Sequence, residues 1–425
     1  MATNTPPAPL SANTRERGHA SLMTWFGQIT DDEIEDAPEL RWPRSIRVFD
    51  RMRREESQIV SVLRAVKLPI RRAEWLIDAT GVDQEVTDFI AANLGLPVKG
   101  QDQTPPPVRT KGRFSFAEHL RLALLSLDFG HMFFEQLYRI DEQTGHAWLR
   151  KLGPRLPRTI EEIKVAADGG LVSIQQYPAG DAPNDPIPVS ALVAYVNERE
   201  GSNWLGMSML RPAYKNWMLK DILLRVQVET VDRNGMGIPV YEGAEGEQDL
   251  TAGQKRAEEW RSGSMAGAAI PHGAKLGAHG VDGQLPDADT PIRYHDEQMA
   301  RAVLAHFLNL GTQTGSWALG STFADFFTLS LQAVADEIAN TITQHVVEDL
   351  VDINFGESVP APRVVCSPIG SNQQATAQAL QLLVNAGVLT PDEALERFVR
   401  STYQLPAAGG AKTSAPAASE GAPTP

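Results

Sequence analysis

One cysteine, Cys366, stands in a chain of 425 residues. That excludes an internal disulfide framework and fits a reducing compartment. No run approaches the roughly 18 consecutive apolar residues that a membrane span requires. Residues Met1–Glu16 are rich in Pro, Ala, Asn and Thr and have no apolar centre, so they do not read as a signal peptide. Positive charge is scarce: 39 Lys and Arg against 53 Asp and Glu leave a net charge of -14. Such a balance opposes a protein that grips nucleic acid by bulk attraction, but not one along which a polyanion slides without sticking.

Catalytic signatures are missing too. The chain has no phosphate-loop lysine motif, no His-Glu-x-x-His, no paired Cys-x-x-Cys and no nucleophile elbow. Gly235-Met-Gly237 lacks the third glycine of a dinucleotide fingerprint. His272 and His279 have no further Cys or His nearby to complete a metal site. His295 and His306 share one predicted helix but lie about three turns apart, too far to share an ion. No enzymatic activity, cofactor, metal or catalytic residue is expected.

What the chain does have is an α+β pattern followed by long helices. Residues 1–18 and 405–425 carry too little apolar surface to offset ordering entropy and are expected to be disordered. An acidic run, Asp31 to Glu39, reads as a solvated helix start. Arg44–Val66 reads as one helix stopped by Pro69, and Arg71–Asp78 as a strand. Helices are predicted over Asp83–Leu94 and Phe116–Leu127. Strands are predicted over Met132–Ile140, Trp148–Leu152, Ile160–Ala166, Leu171–Tyr177 and Leu192–Val196, which makes the first half α+β with an antiparallel sheet.

From Gly206 the character changes. Ser208–Arg233 reads as a helix with Leu210, Trp217, Leu224, Val228 and Val231 at near-heptad spacing. A small αβ insert follows, with strands Ile238–Glu242 and Ala268–Leu276 around a helix Ala252–Ser262. A second helix, Ile292–Leu310, precedes an uncharged loop, Gly311–Ser321, holding three glycines. The last long helix runs from about Thr322 to Ile353, with Phe323, Phe327, Val334, Ile338, Ile342, Val346 and Leu350 on its apolar side. A polar loop held between two stiff rods suggests contact with something that moves.

Several stretches, in this order, resemble the portal proteins of tailed bacteriophages, over roughly Leu40 to Leu405. They are Trp42–Met52 with Pro69–Trp75, Phe116–Tyr138, Gly206–Tyr214, and Asn234–Glu242. The resemblance implies a portal fold that closes into a ring oligomer, usually a dodecamer, at one capsid vertex. It divides the chain into a wing (19–205), a first stem helix (206–234), a clip (235–290) and a second stem helix (291–310). A tunnel loop (311–321), a long helix with wing return (322–370) and a helical crown (371–404) complete it.

The implied partners are duplex DNA in the channel, the terminase large subunit and then a head–tail connector at the clip, and scaffold and major capsid proteins around the ring. Membranes are not implied. DNA-facing candidates are Thr312, Gln313, Thr314, Ser316 and Trp317; docking candidates are Glu242, Glu245, Glu247, Lys255, Arg256 and Glu259. The acidic excess of the clip and the neutrality of the loop suit passage of DNA, since each neutralised phosphate adds affinity and hence friction. A structural adaptor or minor capsid protein without a channel is the alternative. A hydrolase built on His119, His131 and Glu135 is a more distant one.

Overall fold

The computed structural model describes residues 35–101, 114–180, 184–236, 238–259, 269–279, 287–302, 317–370, 384 and 396. The expected disordered tails lie outside this set, and so does the crown except for Val384 and Glu396. The chain forms two compact units, each gathered from three separate stretches. The first comprises Met1–Arg71, Ala117–Leu137 and Lys151–Leu331; the second comprises Arg72–Phe116, Tyr138–Arg150 and Gln332–Pro425.

In the first unit, α1 (Arg44–Glu55) and α2 (Ser57–Arg72) replace the single helix expected there. The break falls at Glu56, whose backbone is extended. Its buried carboxylate accepts a hydrogen bond from Lys220 Nζ at 2.7 Å and caps α2 through the Gln58 amide at 3.2 Å. Pro69 does not stop α2. Ile70 just beyond it is fully buried, and that burial outweighs the one backbone bond a proline removes.

α4 (Phe116–Ala123) and α5 (Leu125–Phe129) lead through Gly130 into β2 (His131–Ile140). β3 (Ala147–Arg155), β2 and β7 (Leu192–Val196) form one three-stranded sheet. β2 and β7 are antiparallel, with His131 opposite Val196 and Glu135 opposite Leu192. β4 (Ile160–Val165), β5 (Leu171–Gln176) and the short β6 (Ile187–Pro188) form a second sheet. Their inward residues Ile160, Ile163, Ile174 and Leu171 pack with Phe133 and Leu192.

α6 (Tyr214–Met236) starts six residues later than the helix expected from Ser208. Ser208 is committed locally: its hydroxyl donates to Asp128 O at 2.5 Å and accepts from the Leu210 amide at 3.1 Å. This pairing, followed by Pro212, holds 208–213 in turns. β8 (Ile238–Glu242), α7 (Thr251–Glu258) and β9 (Lys275–His279) follow, β8 and β9 being antiparallel. β9 begins later than expected because Pro271-His-Gly273 turns the chain, with Gly273 at φ +88°. α8 (Asp289–Arg301) packs on α6. One core joins Phe49, Met52 and Ile59 of the α1–α2 pair with Leu210, Trp217 and Met299.

In the second unit, β1 (Trp75–Asp78) pairs antiparallel with β10 (Arg363–Cys366), and α3 (Gln84–Leu94) covers them. Phe89 of α3 meets Trp148 at 4.9 Å and Phe355 at 5.5 Å, both edge-on. The long helix is interrupted by a wider turn: α9 (Trp317–Ile342) passes through a π-helical turn, Thr343–Val347, into α10 (Glu348–Phe355). Thr343 Oγ1 there accepts the Val364 amide of β10 at 3.0 Å.

Two glycines set the approach to α6. Gly130 (φ +93°) and Gly206 (φ +62°) face each other, and a Cβ on Gly206 would lie 2.4 Å from Gly130 O and 2.6 Å from Asn197 O. Both positive φ and close backbone contact therefore demand glycine. Gly206→Ala is expected to cost about 2–4 kcal/mol, the sum of left-handed strain and overpacking. Chemical denaturation with fluorescence readout checks this; an unchanged midpoint would mean that the two backbones are free to part.

Candidate nucleic-acid interface and docking site

The helices expected to line a channel are α6 and α8. They are bound to the α1–α2 elbow by one ammonium: Lys220 Nζ donates to Glu56 at 2.7 Å and to Asp296 of α8 at 2.6 Å. Burial alone would lower the Lys220 pKa, but the hydrogen bonds to Asp296 and Glu56 outweigh it and raise it. Asn216 and His295 make a second α6–α8 contact at 3.0 Å. Beyond Trp217, α6 leaves the core. Leu224, Val228 and Val231 of the expected stripe are exposed, Val228 to 69% and Val231 to 66%. Met218, Ile222 and Val226 form a second exposed stripe at i, i+4 and i+8. At about 100° per residue the two stripes lie on roughly opposite flanks of the helix.

The polar loop lies mostly outside the described residues, and with it Thr312, Gln313, Thr314 and Ser316. Trp317 is not in a loop: α9 begins there, five residues before the expected start. Gly320 does not prevent the helix: one glycine costs only about 1 kcal/mol, and its neighbours Ala318 and Leu319 are strong helix formers.

The six docking candidates gather on β8, α7 and the turn between them, but not all are free to dock. Glu247 is half-buried; it accepts from the Tyr241 hydroxyl at 3.1 Å and from the Ala244 amide at 2.9 Å. Arg256, also half-buried, faces the same tyrosine. Gly253 of α7 has to be glycine, because a Cβ there would meet the Tyr241 ring at 2.0 Å. Glu242, Glu245, Lys255 and Glu259 are exposed, Glu242 lying 3.6 Å from Lys275. They present a mixed, mostly acidic surface.

The residues of the hydrolase alternative take separate places. His119 is buried and bonds the Tyr195 hydroxyl at 2.7 Å. His131 is buried with Nδ1 on Leu205 O at 2.9 Å, and Glu135 pairs with Arg155. No group of three or more His, Cys, Asp or Glu able to hold a metal exists among the described residues. A cavity of about 380 Å³ opens between α1 and the 203–211 segment, lined by Trp42, Phe49, His131 and Arg211 among others. Its carboxylate Glu35 is committed to Arg211, in a bond of 2.7 Å. Sequence reasoning missed Glu56, Lys220 and Asp296 because nothing local distinguishes them from other helix charges.

Comparison with known proteins decides the family. A family model described as the portal protein of Mu bacteriophage matches residues 46–405. The chain belongs to that family of phage portal proteins. Among solved structures, the portal chain resembles one in the virion of a native gene transfer agent particle, with a TM-score of 0.54, 12% identity, and coverage of 84% of this chain and 93% of that one. A chain in the neck of the native particle, computed with C12 symmetry, gives 0.53 at 13% identity, covering 86% and 94%. One in the neck of the empty particle, computed with C6 symmetry, gives 0.53 at 13%, covering 84% and 94%. At these identities the likeness is one of fold.

The buried histidines make acid stability of this portal readable. Burial lowers His119 to about 3 and His131 to about 4 from an ordinary 6.5, the Leu205 contact opposing the latter shift. Both are neutral when folded, whereas the unfolded chain takes up their protons below pH 6.5. Stability is therefore complete above that value and falls with acidification, by up to about 1.4 kcal/mol per pH unit for each histidine. Denaturation midpoints between neutral pH and pH 4.5 should decline accordingly, and less steeply after His119→Gln or His131→Gln. Equal slopes in all three proteins would refute this assignment.

Proposed function

We propose that copies of this chain close into a ring at a capsid vertex, with α6 and α8 lining a channel through which duplex DNA is packaged and later ejected. In this reading residues 19–205 and the 322–370 return form the wing, and β8, α7 and β9 form a clip that docks terminase and then a head–tail connector. The match of the portal family model to residues 46–405 carries the reading. The two exposed apolar stripes of α6 support it. A subunit in a closed ring meets a neighbour on each side through different surfaces, so a channel helix needs an apolar seam on both flanks. The similar neck computed with C12 symmetry fits a twelvefold ring.

The role is structural: the chain supplies a conduit, and an ATP-driven partner supplies the work. Residues 312–316, uncharged, touch the passing duplex weakly, while scaffold and major capsid proteins surround the wing. The location is the virion, after assembly in host cytoplasm. Among the described residues no helix is long and apolar enough to cross a membrane.

Val228→Glu with Val231→Glu places like charges in one seam. It should lower the fraction of rings at least tenfold by light scattering and negative-stain imaging, while the melting of the subunit stays unchanged. Undiminished rings would remove α6 from the interface, and wild-type particles without an axial hole would favour the adaptor reading. Replacing 311–316 by a short glycine linker should leave rings intact yet abolish DNA packaging or retention. Normal packaging would free that loop of any role.

A further inference from the structure

Charge is unevenly spread along this chain. Between Arg44 and Arg71 eight Lys and Arg stand against three carboxylates, a local excess of +5 in a protein whose total is -14. Five of the eight cations lie on α1. That helix buries Ser45, Ile46, Phe49 and Met52. Its opposite side is a stripe of Arg44, Arg47, Arg51 and Arg54, all exposed and spaced three or four residues apart. Arg51 and Arg54 pair along the helix with Glu55 at 2.7 Å and Asp50 at 3.1 Å. Exposed pairs of this kind contribute little and give way to a stronger anion. Arg44 and Arg47 make no ion pair among the described residues. Arg64 and Arg71, on the exposed side of α2, make none either.

We infer that the arginine face of α1 is a phosphate-binding surface that holds duplex DNA by its backbone. The inference rests on the DNA-conduit reading, which supplies the polyanion. From Arg44 to Arg54 the helix rises about 15 Å. Over that length of duplex axis one strand presents roughly four phosphates, one for each guanidinium. Every cation of the stripe is arginine, the residue whose planar fork suits phosphate oxygens. Contact with phosphates alone carries no base preference, so the surface holds any sequence. It is the counterpart of a low-friction channel: a place where DNA is retained, on a molecule otherwise repelling it.

The test measures duplex affinity of the full-length chain across a salt series, with wild type, Arg44→Gln/Arg47→Gln and Arg44→Lys/Arg47→Lys. Glutamine keeps the helix propensity of arginine, and thermal melting verifies that the variant folds. Removing two phosphate contacts should flatten the slope of log affinity against log salt by about 1.8. It should also weaken binding at low salt at least tenfold, while the lysine variant keeps most of the slope. Unchanged slopes, or a wild type that does not bind duplex at low salt, would overturn the inference. So would a glutamine variant that binds DNA normally but no longer attaches to capsid proteins, since the face would then serve an acidic protein. These results leave the conduit reading standing where rings with an axial hole are still imaged; that reading falls separately, by the absence of such rings.

Discussion

The Lys220 ammonium sits where α6, α8 and the α1–α2 elbow converge, and the placing of all three depends on it. Desolvating one cation and two carboxylates is expensive, so the pairing adds little net stability over a well-packed apolar contact. Its value lies in being directional. Apolar residues such as Phe49, Met52, Trp217 and Met299 pack in several registers at little difference in energy, but a buried ammonium is satisfied only where Glu56 and Asp296 both reach it. The same demand explains the elbow. Glu56 leaves the helical path to meet Lys220, 164 residues away, and begins α2 in doing so.

That distance marks the limit of what the sequence reveals. Short apolar runs bounded by turn residues mark strands, and β7 lies over Leu192–Val196 as expected. α3 and β8 are also legible, because period and turn residues agree there. The elbow is not, since its cause is remote. Nor is the pairing of β1 with β10, whose partners, such as Trp75 and Cys366, lie far apart in the sequence. Among docking candidates, Glu247 looks like any acidic surface residue until Tyr241 and the Ala244 amide are seen to claim it. The family was legible from the order of several weak segments, each of them uninformative alone.

Charge is unevenly distributed over the described residues. The surface around β8 and α7 is mixed and mostly acidic, whereas α1 is strongly basic on its outer side. Burial accounts for a third class, the neutral histidines. His119 of α4 and His131 of β2 are buried, and each imidazole is neutral and hydrogen-bonded within the core. Chemically suggestive residues are thus buried and hydrogen-bonded, while the arginines of α1 stand at the surface.

The π turn at Thr343–Val347 has a consequence for how far this protein tolerates change in length. Such a turn holds one residue more than the regular spiral, and Thr343 is fastened there to β10. Removing one residue from the turn itself would restore the ordinary spiral and leave α10 in phase. Removing one between the turn and Leu350 would instead swing the rest of α10 by about 100° about its axis. Leu350 and Val351 would then be carried out of the core, and Asn354 away from the Ala147 backbone that it clasps at 2.7 Å and 3.0 Å. Point substitutions can drift freely along the outer side of this rod, and the wider turn can lose its extra residue, but a one-codon deletion beyond that turn amounts to a rotation of the terminal segment.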